Sequence, residues 1–562
     1  MTRQALIINV TRMGDLVQTV PLISRLHAEW PDAAVDLVVD RSFAPMAALL
    51  PGLRHIFSYD FQGLIDHARA MAKDVVALTR ELSAWVRPLR DIKYDRVINL
   101  TFNKRTALLA AYLDAPDTRG VTTTIDGTCV VRNPWLAYFA DLHHYRRFNS
   151  FNLVDLYALG GSGIGPYTPL TLTVDQEALD WAAAFLRAKG PAMLPIAVQV
   201  GASDPMKAWR PEYVGQTMAH ISRRIPAAFV MIGTKGESQA IQQVLAAYRA
   251  AGGTSLICDA VDQTDLSQLA ALLSQCRLLL SNDTGPMHVA VAAGPPVLDI
   301  SVGHVDYNET GPYGRGHWVI QPDLACAPCG FDQICSHHAC KDRLDPEQIA
   351  ALAVFIVGQG PFPARLTGAR ILESGIDEDD LACWNLRAGQ EDITTQWYRT
   401  FWRGFWYEMF TGRKNKTNGL CHPAPDTAHT RAVFKCLAPQ LDALVRHADH
   451  IVHLCTRSSL PVDLLQAAQA QLSQLRQQAT ASASASPAFA PLTVSCLRHL
   501  NNVDARNVLL MVRQQAQAFQ ILRDRAIEVM RRTGNSEGEL GAVRQTSLRP
   551  RTARKENYAG ST

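Results

Sequence analysis

Short hydrophobic runs alternate with stretches of helical periodicity from the start of the chain to about residue 360. The first series begins with Ala5–Val10, and a second series begins at Ile196–Val200 after a Gly/Pro-rich stretch at 160–169. Alternating strands and helices are typical of a parallel sheet covered by helices. The pattern therefore predicts two α/β lobes, over residues 1–165 and 166–358. We expect a cleft between them, where the carboxyl ends of strands face each other.

The pattern changes beyond the two predicted lobes. Residues 361–465 are polar and aromatic and predict a helical extension. Segment 466–490 is rich in Ala, Gln and Ser, a composition typical of a flexible linker. A further helical segment is predicted over 491–532. The basic tail at 533–562 has almost no apolar periodicity, so it is predicted to be disordered.

The composition adds few constraints. The chain has 562 residues, of which 47% are hydrophobic and 19% charged, as in ordinary soluble enzymes. Its net charge of +3 gives no reason to expect a nucleic-acid partner. The first apolar stretch is too short for a signal-peptide core, and no run of about 18 apolar residues occurs. We therefore expect a cytoplasmic protein.

The first candidate motif lies directly between the first predicted strand and the first predicted helix. Gly14 permits a tight turn there, and Asp15 follows at or near the helix N-terminus. An ionised carboxylate at a strand end that faces a cleft can accept a proton from an attacking hydroxyl group. A helix-capping role explains the same residue, since Asp is a favoured cap. Spacing alone leaves both interpretations open.

The second candidate motif, Ser281–His288, follows a predicted strand and opens a helix. Backbone N–H groups at the helix start, together with Thr284 and Gly285, suit the binding of a diphosphate. His288 lies one turn further on, where it can reach a phosphate or a ribose. The alternative is local: Asp283 or Thr284 caps the helix, and His288 packs in the core.

A third motif, Gly201–Trp209, follows the first strand of the second series. Lys207 supplies a positive charge for a phosphate, and Trp209 is a candidate pocket wall, although a solvated loop lysine is more common. Glu237 comes after the next strand, where it binds a ribose hydroxyl or stabilises its helix start. All these segments follow predicted strands at their carboxyl ends, which favours one shared site for a diphosphate-containing ligand.

These motifs resemble those of glycosyltransferase family 9, the heptosyltransferase family of lipopolysaccharide core synthesis. The resemblance rests on RMGD followed by LVQTVP, on GASDPMKAW and on NDTGPMHVAVAAGPPV, and it covers roughly residues 1–358. It implies a GT-B fold with two Rossmann-like, doubly wound lobes. It also implies an inverting mechanism and a nucleotide-diphosphate-sugar donor, usually ADP-heptose.

The resemblance also implies roles for individual residues. Asp15 would be the general base, and Lys207 would stabilise the departing diphosphate without a metal ion, so no cofactor is expected for catalysis. The acceptor would be a lipid-linked or core oligosaccharide. The residues implied to bind the substrates are Gly14, Ser203, Glu237, Asp283, Thr284, Gly285 and His288.

Several basic residues of the first lobe are acceptor-side candidates. In heptosyltransferases that act on lipid A precursors, such residues would bind phosphate or carboxylate groups. For any one of them, a solvated surface charge is the better interpretation. The candidates are Lys104, Arg105, Arg119, His143, His144, Arg146 and Arg147.

A cysteine cluster lies near the end of the second lobe. Four thiols at such spacing can surround a structural Zn²⁺ or iron ion, although the spacing is not that of a standard zinc ribbon. Free thiols or redox-variable disulfides are the favoured alternative. The four residues are Cys326, Cys329, Cys335 and Cys340.

An aromatic segment at 397–410 repeats large rings every four residues, which on a helix makes one broad apolar stripe. Docking onto a neighbouring domain is the favoured interpretation. The alternative is peripheral contact with the inner face of the cytoplasmic membrane.

Two other functions compete with transfer of a heptose or related sugar. One is a nucleotide-sugar 2-epimerase-like enzyme, which the RMGD and DTGPMH motifs disfavour. The other is a non-catalytic nucleotide-sugar-binding module, which would not need the proton acceptor Asp15.

Overall fold

The computed structural model describes most of the chain. It covers residues 2–70, 74–144, 146–188, 193–331, 334–363, 366–416, 424–457, 462–503 and 507–533. Apart from its first residue, the predicted basic tail at 533–562 lies outside the described residues.

The first lobe is an α/β unit with helices packed on a central sheet. Its strands are β1 (Gln4–Ile8), β2 (Ala34–Asp40), β3 (His55–Tyr59), β4 (Arg96–Asn99), β5 (Asp117–Thr123) and β6 (Cys129–Arg132). Its helices are α1 (Met13–Val17), α2 (Val20–Glu29), α3 (Ala44–Ala47), α4 (Leu64–Ala70), α5 (Val75–Ile92), α6 (Lys104–Tyr112), α7 (Pro134–Asp141) and α8 (Leu153–Gly161). The strand order is β3-β2-β1-β4-β5-β6, with β6 antiparallel to β5. Every residue of β2 is buried, as expected for a strand covered on both faces.

The second lobe repeats this architecture around a larger sheet. Its strands are β7 (Leu194–Gln199), β8 (Ala227–Ile232), β9 (Leu256–Asp259), β10 (Leu278–Ser281), β11 (Val297–Ile300), β12 (Trp318–Pro322), β13 (Ala369–Ile376) and β14 (Ala382–Ala388). Its helices are α9 (Gln176–Arg187), α10 (Pro211–Ser222), α11 (Ser238–Ala250), α12 (Leu266–Ser274), α13 (Gly285–Ala293), α14 (Tyr307–Thr310), α15 (Ala339–Asp342) and α16 (Pro346–Ile356). The strand order is β14-β13-β12-β11-β10-β7-β8-β9.

Each sheet has one point where the strand order reverses, between β1 and β4 in the first lobe and between β7 and β10 in the second. Connections leave such a point toward opposite faces of the sheet, which opens a crevice beyond the strand ends. The three candidate motifs follow β1, β7 and β10, so all of them lie at these two points.

The sheet of the second lobe continues past residue 358. Strands β13 and β14 form an antiparallel hairpin, and β13 pairs with β12, where Ile320 lies opposite Ile371. The prediction of a helical extension over 361–465 is therefore wrong for its first part. The pairing partner of β13 lies about 50 residues earlier in the chain, so local periodicity does not reveal it.

The remaining extension is helical. Its helices are α17 (Ile393–Thr411), α18 (Thr427–Cys455), α19 (Val462–Ser484), α20 (Ala490–Asn501) and α21 (Val508–Arg532). The prediction of a flexible linker over 466–490 is wrong, because most of that segment forms α19. Ala and Gln have high helix propensity, and Leu472, Ala479 and Ala483 bury one face of the helix.

The aromatic stripe of α17 is buried against the first lobe. Trp402 and Trp406 are each 1% exposed and stack with ring centroids 5.4 Å apart. Trp406 also contacts Tyr138 of α7 edge-on, at 6.1 Å between centroids. The docking interpretation is therefore confirmed, and these rings are not available to a membrane. None of the helices among the described residues is long and apolar enough to cross a membrane.

A buried carboxyl group joins the two lobes and the hairpin. Asp155 of α8 accepts a hydrogen bond from the hydroxyl of Tyr313 at 2.9 Å, and another from the backbone N–H of Ala382 at 2.8 Å. Burial raises the pKa of Asp155 to about 6. The contact fixes α8 against the loop after α14 and against the first residue of β14.

Candidate active site

The two lobes meet where α1 packs against the start of α13. A Cβ atom added at Gly14 would lie 2.7 Å from Cδ2 of His288, and one added at Gly285 would lie 2.4 Å from Cε of Met13. Gln18, one turn beyond Gly14, lies with Nε2 3.4 Å from Nδ1 of His288. The close approach of α1 to α13 thus favours glycine at position 14, where a Cβ atom would meet the buried His288 ring, whereas at position 285 the flexible end of Met13 can move aside.

Lys207 and Asp283 form a buried ion pair at this lobe contact. Nζ of Lys207 lies 2.8 Å from Oδ2 of Asp283, and the hydroxyl of Thr310 donates a hydrogen bond to the same oxygen at 3.0 Å. Burial opposes ionisation of Asp283, but the charge of Lys207 and these hydrogen bonds outweigh it. The pKa of Asp283 is therefore lowered, and the carboxylate holds Lys207 in place.

His288 lies between the first lobe and this ion pair. Its Nε2 is 3.9 Å from Oδ1 of Asp283. Burial lowers the pKa of His288 to about 4, although the charge of Asp283 opposes the shift. The imidazole is therefore neutral at pH 7, so one ring nitrogen can donate a hydrogen bond and the other can accept one.

Asp15 lies at the amino end of α1, on the first-lobe side of the contact. Arg12 is the N-cap residue, and its backbone N–H donates to Oδ2 of Asp15 at 3.2 Å. Burial raises the pKa of Asp15, and the nearby charge of Asp283 adds to the effect, while hydrogen bonding with Thr11 opposes it. Asp15 thus occupies a capping-box position and is also a stronger base than an ordinary Asp.

Glu237 lies at the end of β8, beside the loop that follows β7. Its carboxylate accepts hydrogen bonds from Nε2 of Gln199 at 2.7 Å and from the backbone N–H of Thr234 at 2.7 Å. A Cβ atom at Gly201 would come within 1.7 Å of Oε1, so the loop passes directly over the carboxylate. Both interpretations of Glu237 stay open, because it stabilises the turn before α11 and also faces the loop that carries Lys207.

The start of α13 presents its first N–H groups near this cluster. Thr284 is the N-cap residue by its extended backbone, but its side chain makes no capping hydrogen bond. Its hydroxyl lies 3.3 Å from Oγ of Ser281 instead. Gly285 therefore presents the first N–H donor of this helix end, since Pro286 has no N–H and the N–H of Met287 donates to the carbonyl of Thr284 at 3.1 Å. Ser203 is exposed in the loop that follows β7, at the rim of the candidate site.

Trp209 does not line the site. It is 1% exposed in the core of the second lobe, its indole N–H donates to the carbonyl of Lys341 at 2.9 Å, and its backbone N–H donates to Asn282. Nζ of Lys341 donates to the carbonyl of Pro205 at 2.7 Å. These contacts explain why the short turn that carries Lys207 holds its position.

The four clustered cysteines lie near one another but not as a metal site. Among the described residues, no group of three or more His, Cys, Asp or Glu side chains is arranged to hold a metal ion. Burial raises the pKa of the Cys329 thiol, and the other three thiols add to the shift. All four are free thiols, and the backbone N–H of Cys329 donates to the carbonyl of Gly303 at 2.9 Å. The segment thus packs beside the lysine turn.

The acceptor-side candidates separate into structural and exposed residues. Arg119 pairs with Asp117 at 2.9 Å, and Arg105 donates to the carbonyl of Phe61, so both have structural partners. Arg146 is buried and pairs with Glu309 of the second lobe at 2.6 Å. The exposed candidates are Lys104, His143, His144 and Arg147.

Sequence reasoning missed several partners at the site. Gln18 lies within the LVQTVP motif and Thr310 lies outside the quoted motifs, and nothing local indicates that they contact His288 and Asp283. Asp299, on β11, is fully buried, and its Oδ1 has no hydrogen-bond partner in the described structure. An Asp inside an otherwise apolar strand was the one available signal for this residue.

Comparison with known proteins assigns part of the chain to a family. Residues 82–337 match the sequence model of glycosyltransferase family 9 (heptosyltransferase). Lipopolysaccharide heptosyltransferase 3 of Escherichia coli strain K12 is 24% identical over 289 residues, which cover 51% of this chain and 79% of that protein. Lipopolysaccharide heptosyltransferase 1 of Pseudomonas aeruginosa is 20% identical over 365 residues, which cover 62% of this chain and 96% of that protein. The solved structure of a glycosyl transferase family 9 protein from Veillonella parvula matches with a TM-score of 0.50 at 20% identity, covering 64% of this chain and 98% of that one.

Two Rossmann-like lobes that meet at their switch points form a fold of GT-B type, and the Veillonella structure is similar in fold. The chain carries a glycosyltransferase family 9 domain, with a helical C-terminal region added. The sequence-based predictions of fold class, enzyme class and family are thereby confirmed.

Proposed function

We propose that this enzyme transfers a heptose from ADP-heptose to a lipopolysaccharide-core or other cell-envelope glycan, with inversion at the anomeric carbon. The names of the relatives support the sugar and the acceptor class. One observation supports the mechanism: α1, which carries Asp15, packs against the start of α13 in the second lobe, and the ion pair of Lys207 with Asp283 lies just before that helix start. This arrangement supports the proposal that Asp15 acts as the base and Lys207 as the cation from opposite lobes.

In the proposed reaction an acceptor hydroxyl group attacks the anomeric carbon while its proton passes to the Asp15 carboxylate. The bond from the sugar to the diphosphate breaks in the same step, and the diphosphate leaves with the bonding electrons. Lys207, the N–H group of Gly285 and the positive end of the α13 dipole stabilise the negative charge that grows on it. The buried surroundings strengthen that stabilisation, since fewer water molecules screen it.

The remaining residues are proposed to bind the donor. Glu237 accepts hydrogen bonds from ribose hydroxyls, Thr284 and Gly285 present the helix end to the diphosphate, and neutral His288 donates a hydrogen bond to it. Gly14 permits the close lobe contact, and Ser203 lies at the rim. The prediction that catalysis requires no cofactor, and the cytoplasmic location, stay predictions from the sequence.

The test is a donor screen on the full chain. Release of nucleoside diphosphate is measured with ADP-heptose and with UDP- and GDP-sugars, with and without lipopolysaccharide core acceptors. We expect release from ADP-heptose that depends on the acceptor. Release from a UDP-sugar alone would contradict the proposed donor, and ADP binding without any turnover would favour a binding module.

A substitution at Lys207, compared with a matched control, tests the proposed diphosphate site. Lys207→Ala removes the cation at the leaving group, so we expect ADP affinity to fall about tenfold or more and turnover to fall with it. Arg249→Ala is the matched control, because Arg249 is exposed in the last turn of α11 in the same lobe. Equal ADP affinity in the two variants would remove Lys207 from the diphosphate site.

A further inference from the structure

The segment 306–310 connects the donor site to the C-terminal extension. At one end Thr310 donates a hydrogen bond to Asp283, the carboxylate that holds Lys207. At the other end Asp306 begins α14, with its side chain accepting from the backbone N–H of Asn308 at 3.0 Å. The segment is a single short turn, and its two ends are linked directly, because the backbone N–H of Thr310 donates to the carbonyl of Asp306 at 3.1 Å.

Arg399 of α17 holds the Asp306 end of this segment. Its Nη1 donates to the hydroxyl of Tyr307 at 3.1 Å, and Nη2 lies 4.0 Å from Oδ2 of Asp306. The guanidinium also forms an ion pair with Glu391, which accepts a second hydrogen bond from the Tyr307 hydroxyl at 3.3 Å. Nε donates to the carbonyl of Arg147 in the first lobe at 2.8 Å.

The surroundings make this arrangement costly to disturb. Arg399 is 7% exposed, Tyr307 2% and Asp306 1%, so little water reaches the charges. Oδ2 of Asp306 has no hydrogen-bond partner in the described structure, which leaves Arg399 as a nearby compensating charge. Removing one partner of a buried ion cluster leaves the others uncompensated, and the backbone that carries them then shifts toward water.

We propose that Arg399 is a positioning residue of the donor site, which acts through Asp306, Tyr307 and Thr310 on the carboxylate that holds Lys207. The extension is then a working part of the transferase and not an appended module. This inference rests on the proposed function, since it assumes that Lys207 binds a nucleoside diphosphate.

The competing explanation is that Arg399 only docks α17 onto the lobes, and Arg403 allows the two to be separated. Arg403 lies one turn further along the same helix and is also 7% exposed. It pairs with Asp377 at 2.5 Å and donates to the carbonyl of Ser150. Its docking contacts resemble those of Arg399, but they are made with the hairpin and the first lobe instead of segment 306–310.

The experiment compares Arg399→Ala, Arg399→Lys and Arg403→Ala in the full chain. ADP binding is measured by calorimetry, amide hydrogen exchange is followed over residues 304–311, and thermal unfolding reports stability. We expect Arg399→Ala to weaken ADP binding about tenfold and to speed exchange in that segment. Arg399→Lys keeps the positive charge but lacks the planar guanidinium group. It should therefore restore part of the ADP affinity and part of the protection from exchange that Arg399→Ala loses. Arg403→Ala should lower the melting temperature, but it should change neither ADP binding nor amide exchange over residues 304–311.

Tyr307→Phe serves if Arg399→Ala fails to fold, because it removes only the hydroxyl group that accepts from Arg399. It should speed exchange over 304–311 and weaken ADP binding severalfold. Equal effects of Arg399→Ala and Arg403→Ala on both readouts would overturn the positioning role. If the wild-type chain binds no ADP, the proposed donor fails, and the exchange measurement still decides what Arg399 does.

Discussion

The lobe contact and the aromatic interface of α17 are both deeply buried, but the first consists of charged and polar side chains and the second of aromatic rings. At the lobe contact, carboxylates, a lysine and a neutral histidine lie together, and burial shifts the pKa values of several of them. At α17, stacked indole rings pack on aromatic side chains of the first lobe. Burial of charge costs stability and serves chemistry, whereas burial of rings supplies stability. Substitutions in the two regions should therefore fail in different assays.

The largest effect should come from Asp15→Asn. The amide keeps the shape of the side chain but cannot take a proton, so we expect kcat to fall about 10³-fold. ADP affinity and melting temperature should stay near wild type. Asp91→Asn is the control, because Asp91 is exposed on α5 of the same lobe. Near-normal turnover in Asp15→Asn would mean that another group is the base.

Trp402→Ala should lower stability and not turnover. Removing a ring that is 1% exposed leaves a cavity in the aromatic interface, and about 3–5 kcal/mol of unfolding free energy should be lost. Ile393→Ala, at the exposed start of the same helix, should cost less than about 0.5 kcal/mol. Urea denaturation measures both. An equally small loss at Trp402 would mean that the stripe does not anchor the extension.

Asp299→Asn should stabilise the protein. Burial raises the pKa of Asp299 to about 8, and the charge of Asp283 adds to it. The folded state therefore retains a proton that the unfolded state loses above about pH 4, so stability decreases as pH rises from there to about 8. Asparagine removes this dependence, and we expect a gain on the order of 2 kcal/mol at pH 8.

Urea denaturation at pH 5.5 and pH 8 checks the Asp299 prediction. The gain from Asp299→Asn should be larger at the higher pH. Asp323→Asn, at an exposed carboxylate of the same lobe, should show no such difference. A pH-independent effect at Asp299 would show that its carboxyl group keeps an ordinary pKa.

The smallest expected change in unfolding free energy tests whether segment 466–490 is a helix or a flexible linker. Ala479→Gly lies in the last third of α19 on its buried face, so it should cost about 1 kcal/mol. Ala481→Gly, on the exposed face, tests propensity without burial and should cost somewhat less. If 466–490 were a flexible linker, neither substitution would change the unfolding free energy.

Sequence reasoning succeeded where a motif carries its own geometry. Strand ends followed by small residues, as at Gly14 and Gly285, indicated which segments meet in the cleft. Contacts between distant segments were not predictable: Thr310 and Arg399 gain their roles from partners 27 and 92 residues away. Composition misled at α19, because Ala and Gln suit a helix as well as a linker, and the apolar face that decides between them is narrow.

The hairpin of β13 and β14 has a consequence for any shortened form of the protein. A chain cut at residue 360 would contain both lobes and the whole matched family domain, but β12 would become the outermost strand of its sheet. Its backbone donors and acceptors, which β13 now pairs, would be open along a buried, apolar strand. Such an edge recruits strands from other molecules. We therefore expect chains that end at residue 360 to aggregate.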